Sequence, residues 1–90
     1  MSEQAYVKVV RGNEFYALLR KYQIIIDGEQ VGEIPRAKEM VFDVNPGVHT
    51  ISSKIDWVES ETVEFELTHG ETIAFRFTGK GLNAFVTLIS

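Results

Sequence analysis

Two histidines, His49 and His69, are the side chains best placed by type for acid–base work, because an imidazole titrates near pH ~6.5. Their positions do not make them a pair. His49 falls inside an alternating apolar stretch and His69 inside a turn-like His69-Gly70-Glu71. Neither H-x-x-x-H nor H-E-x-x-H spacing occurs, so a zinc site built on paired imidazoles has no support. The chain has no cysteine, which removes thiol nucleophiles, disulfides and thiolate metal sites. The favoured reading of His49 is structural: a half-buried ring bonded to a backbone carbonyl near the 45–47 turn. A pH switch or a ligand role is its alternative.

Other chemistries fail on spacing. The phosphate loop G-x-x-x-x-G-K-[ST] is absent, since Ala74 stands where its first glycine belongs and Gly81 follows Gly79-Lys80. Asp27-Gly28-Glu29 shares only composition with a calcium loop. Arg11, Arg20 and Lys21 can accept a carboxylate or phosphate, or simply balance an acidic surface. The most function-like local group is Asp56, Trp57 and Glu59, an aromatic flanked by acids, a pattern that suits a cation or a basic peptide segment. These three are the candidate partner-binding residues. The competing reading is a core tryptophan with solvated acids beside it. No catalytic, cofactor-binding or metal-binding residue is expected.

The elements that must position these residues follow from composition and pattern. The 90 residues hold 9 Lys plus Arg against 13 Asp plus Glu, 44% apolar residues and a net charge of −4. That is one small domain spanning 1–90, with residues 1–4 expected to be a disordered start. Six acids and no base lie between Asp56 and Glu71. With a pI near 5.1, a nucleic-acid surface is disfavoured. The N-terminus reads as no signal peptide, and no stretch is long enough to span a membrane. The chain as given therefore reads as soluble and cytoplasmic with no membrane insertion, and export after cleavage of a leader or tethering through a partner stays open.

Period two dominates. Strands are expected at 5–10, 22–27, 31–34, 39–44, 48–57, 62–67, 72–78 and 84–89, with 15–20 ambiguous between strand and helix. Asp27-Gly28 predicts a tight hairpin turn, Asn45-Pro46-Gly47 a type II turn returning into 48–57, and Gly79-Lys80-Gly81 a flexible break. The last strand, uncharged and apolar on both faces, is expected to be buried or to form an interface. The fold expected is all-β: a small antiparallel, Ig-like β-sandwich of about seven to eight strands.

Ile24-Ile25-Ile26-Asp27-Gly28, followed by Val31-Gly32-Glu33-Ile34-Pro35, resembles the first hairpin of PEGA-type domains. Phe42-Asp43-Val44-Asn45-Pro46-Gly47-Val48-His49 resembles their second. A related bacterial family of unknown function has the same order. Pro35-Arg36-Ala37-Lys38 departs from the small Gly-containing link of that pattern. The resemblance implies a small β-sandwich accessory module with no catalytic residues to carry over. The expectation is a non-catalytic interaction module, not an enzyme and without cofactors. It would bind a protein partner or a second copy through a sheet edge or face. The alternative is a small-ligand or carbohydrate-binding sandwich using Trp57 with Tyr6, Tyr16 and Tyr22.

Overall fold

Along the first strand Ala5, Val7, Val9 and Arg11 are buried, while Tyr6 is exposed and Lys8 and Val10 are half-buried. This is the alternation that a pleated strand with one wet face imposes. The computed structural model describes residues 4–11, 21–35, 37–55, 58–80 and 83–89. Among them are nine strands and no helix: β1 (Ala5–Arg11), β2 (Tyr22–Ile26), β3 (Glu29–Ile34), β4 (Glu39–Val44), β5 (Gly47–Ile55), β6 (Val58–Glu59), β7 (Val63–Leu67), β8 (Thr72–Lys80) and β9 (Asn83–Leu88).

The strands form two sheets, one ordered β4-β1-β8-β9 and the other β3-β2-β5-β6, with β7 also paired to β5. Their inner faces share one core, in which Val7, Val9, Phe75 and Phe77 meet Ile24, Ile34, Ile51 and Leu67. The fold is a small β-sandwich. Phe65 and Phe75 pack with ring centroids 5.2 Å apart, and Tyr22 meets Phe77 edge-on at 6.4 Å, geometries that aromatic quadrupoles favour. Gly32 on β3 allows close approach between the sheets, since a Cβ there would lie 3.2 Å from the Phe42 ring.

Several expectations change in detail. The strand count is nine because the segment alongside β5 breaks into β6 and β7 at Ser60. There the Ser60 N–H donates to the Ser53 carbonyl, and the Ser53 N–H donates to Ser60 Oγ, each at 2.8 Å. A side-chain oxygen thus takes the place of a ladder carbonyl and lets the strand interrupt itself. One pair is parallel: β1 runs alongside β8, Tyr6 opposite Thr72. Asn45-Pro46-Gly47 does not close a hairpin. β4 pairs with β1, and β5 pairs with β2, so the bend carries the chain from one sheet to the other. Pro46 offers no N–H to a ladder, and Gly47 takes a φ of 132° that side chains rarely adopt. Gly79 and Lys80 continue β8 instead of breaking it, opposite Ala84 and Asn83. The Gln4 carbonyl accepts a hydrogen bond from the Gly70 N–H at 3.1 Å. The ambiguous 15–20 stretch lies outside the described residues.

Candidate functional site

Asp27 and Gly28 connect β2 and β3 as a two-residue loop, with φ of 54° and 81°. Positive φ at both positions is the signature of the type I′ hairpin turn, and Asp and Gly are among the residues that tolerate it best. The turn holds Asp27 against β5. Its N–H donates to the Thr50 carbonyl, and its Oδ1 accepts from the Thr50 N–H, both at 3.0 Å. Its Oδ2 lies 2.7 Å from His49 Nδ1, and His49 Nε2 lies 2.6 Å from the Asn45 carbonyl. The imidazole therefore links the Asp27-Gly28 turn to the Asn45-Pro46-Gly47 bend, with the Phe65 ring centroid 5.9 Å from its own.

Each partner shifts the other's titration. The Asn45 carbonyl, and next the Asp27 carboxylate, hold the His49 pKa above its ordinary value. The His49 hydrogen bond is the main cause holding Asp27 below its own. Both ring nitrogens are engaged by acceptors of the protein itself, so the ring presents neither one to an incoming substrate. Among the described residues no group of three His, Asp or Glu could hold a metal ion. The sequence placed His49 against a carbonyl near this turn, and that is what it does. The Asp27 contact, joining two motifs 22 residues apart, was not foreseen. The signal available was that both motifs are tight turns flanking strands that would have to pair.

The other candidates separate. Glu59 is exposed on β6, opposite Lys54 of β5. Asp56 and Trp57, its companions in the expected partner-binding group, lie outside the described residues, as do Arg20 and Tyr16. Tyr22 is fully buried and so cannot stack on a ligand, whereas Tyr6 is 36% exposed. Arg11 is no surface anion receptor. It is buried, its Nη1 donates to the Ile34 carbonyl at 3.1 Å, and its guanidinium sits 4.5 Å from the centre of the Tyr22 ring. A carbonyl and an aromatic face offset part of the cost of removing that charge from water.

The 84–89 segment forms β9, an edge and not a central strand; among the described strands it pairs with β8 alone. The Ile89 N–H donates to the Ala74 carbonyl. In an antiparallel ladder hydrogen-bonded pairs alternate, so the N–H and C=O groups of Ala84, Val86 and Leu88 point away from β8. Leu88 stands opposite fully buried Phe75 and so belongs to the core face, yet it is 58% exposed. Of the other edges, β3 carries Glu29 and Glu33, β4 carries Glu39 and Asp43, β7 carries Glu64 and Glu66, and the two-residue β6 carries Glu59 alone. Charges of this kind keep sheet edges from pairing. β9, with the sequence NAFVTL, has none.

No family model matches this chain, and no curated protein matches it. A solved structure of the C-terminal domain of AlgF from P. aeruginosa is similar, with a TM-score of 0.70 over 98% of each chain and 16% sequence identity. That likeness shows a shared small β fold.

Proposed function

We propose that the domain is a non-catalytic interaction module that binds an extended protein segment by strand addition on β9. The observation that carries this reading is the contrast among edges: β3, β4 and β7 bear two carboxylates each and the short β6 bears one, whereas β9 bears no charge and leaves core-face Leu88 58% exposed. Main-chain hydrogen bonds would give affinity, and the exposed Leu88 would select apolar side chains. The engagement of both His49 nitrogens by Asp27 and Asn45 supports a structural use of the one cluster that resembles an acid–base dyad. A PEGA-type relationship, resting on Asp27-Gly28 and Pro46-Gly47-Val48-His49, agrees with an accessory role and is part of the same proposal.

The test is selection of a displayed library of random extended heptapeptides against the immobilised domain, followed by measurement on Val86→Pro. Proline there deletes an N–H that faces away from β8, leaving the β8–β9 bonds in place. Enriched apolar peptides that lose at least about tenfold in affinity on the variant are expected. Absence of any enriched peptide, or equal binding to both forms, would overturn the reading.

A second reading, a carbohydrate-binding sandwich, is favoured by one feature. The outer face of the β3-β2-β5-β6 sheet forms a trough of about 420 Å³, lined by Gln23, Gln30, Thr50, Ser52, Lys54 and Glu59. Amides and hydroxyls around one opposite-charge couple suit a polyhydroxylated ligand. Titration of the labelled domain with a panel of neutral and acidic oligosaccharides tests it. Amide shifts confined to the trough residues of β2, β3, β5 and β6 would support it, and an unchanged spectrum would remove it.

A further inference from the structure

We propose that the occupant of the β9 edge is a second copy of this chain, paired antiparallel about a two-fold axis at Val86. The inference rests on the reading of β9 as the working edge and goes on to name its partner.

Geometry sets the register. The groups free to pair belong to Ala84, Val86 and Leu88, since Asn83, Phe85, Thr87 and Ile89 alternate with them in the ladder to β8. A two-fold axis at Val86 sets Val86 opposite Val86 of the second copy and Ala84 opposite Leu88. Each facing pair exchanges two main-chain bonds, about six in all. The exposed, core-face Leu88 then stands beside alanine, the smallest residue of the strand, which leaves it room.

Charge selects this edge over the others for self-pairing. The protein carries a net charge of −4, and two copies meeting through β3 or β7 would bring two carboxylates from each together; on β4 Glu39 has Lys8 at 3.5 Å, which leaves Asp43 to repel its copy. On β9 nothing repels. On β6, which lies against β9, Glu59 stands opposite Lys54, so its charge has a local counterpart. On β8, Arg76 opposite Thr87 is a base, not a further acid.

Closure follows as well. An isologous pair uses the same strand on both copies and leaves no β9 open. The continuous sheet would run β4-β1-β8-β9-β9-β8-β1-β4, ending on Glu39 and Asp43 at both sides. Those acidic edges stop further growth. An uncharged β-prone edge left open invites unlimited pairing, and the two-fold pair converts that hazard into a dimer.

Sedimentation velocity of the wild-type chain from about 1 μM to about 1 mM tests the inference, with hydrogen exchange followed at the two ends of that range. The expected result is a concentration-dependent dimer, with the Val86 and Leu88 amides protected only at high concentration. Val86→Pro and Leu88→Lys are each expected to weaken association at least about tenfold. Val41→Lys, on the opposite edge strand, is expected to leave it unchanged. A monomer across the whole range, or a dimer indifferent to both β9 substitutions, overturns the inference. Exchange on the wild-type chain gives an answer even where a variant fails to fold. A monomer that still binds selected peptides in a manner sensitive to Val86→Pro rejects self-pairing and keeps β9 as the edge that works. Loss of both rejects the edge itself.

Discussion

The imidazole of His49 has an acceptor on each nitrogen, a carboxylate on one side and a carbonyl on the other. A neutral ring has a single N–H and can serve only one of them, so both contacts are satisfied together by the imidazolium. The consequence for stability has a definite sign. His49 is raised above 6.5, so its contribution is complete below that value and is lost as pH climbs through the raised pKa. Asp27 is lowered below 3.8, so its contribution is complete above that value and is lost as pH falls through the lowered pKa. The pair therefore stabilises most between about pH 4 and 6.5. His49→Gln is expected to cost about 0.5–1 kcal/mol near pH 5.5, a modest figure because the Asp27 side chain is 49% exposed. It should also flatten the decline of stability as pH rises above about 6.5 through the raised His49 pKa. Urea unfolding at a series of pH values checks this. An alkaline decline equally steep in the variant would show that another group causes it.

At the level of strands and turns, the 35–38 connection stands out. It departs from a Gly-containing pattern, and Ala37 within it adopts a φ of 59°. An L-residue other than Gly, Asn or Asp pays roughly 1 kcal/mol or more for that conformation. Ala37→Gly removes the steric cost and adds a smaller entropy cost in the unfolded chain. A net gain of about 0.5 kcal/mol is expected from chemical denaturation, and a loss would show that the alanine methyl is held by its surroundings. This position also marks what a sequence makes readable. Alternation makes Phe65 and Leu67, and Phe75 and Phe77, readable as inward sets, because burial on one face demands period two. Asp27-Gly28 was readable because its backbone angles are local. Sheet membership was not. Residues 39–44 and 48–57 look like two arms of one hairpin, and only the partners β1 and β2, distant along the chain, draw them into different sheets. Arg11 was misread for the same reason. It continues the inward parity of β1, but an arginine on a core face announces itself only once Tyr22 and the Ile34 carbonyl are seen beside it. The openness of β9 was likewise invisible, since an uncharged apolar strand reads the same at a centre or an edge.

For the molecule as a whole, topology governs how the sandwich assembles. β1 lies between β4 and β8, so the middle of its sheet joins residues 5–11 to residues 72–80. Such pairing has to close a long loop before it is rewarded, and folding rates fall as average sequence separation rises. Stopped-flow refolding is expected in the millisecond-to-second range typical of β-sandwiches. Microsecond folding would contradict the parallel β1–β8 pairing. Val7→Ala, in that pair and fully buried, is expected to destabilise by about 1–3 kcal/mol.

The parallel pair has a further consequence on the ribosome. β2, β3 and β5 can pair as they emerge, while β1, although made earlier, gains only β4 as a neighbour until β8 follows. At about 5–20 residues per second, the wait between β1 and β8 lasts several seconds. Through that interval the nascent chain holds one edge of β1, with the flanks of Val7 and Val9 along it, without its final partner. Of the nine strands β1 is thus the first to be synthesised and among the last to be enclosed, and it is the strand on which a chaperone has the longest opportunity to act.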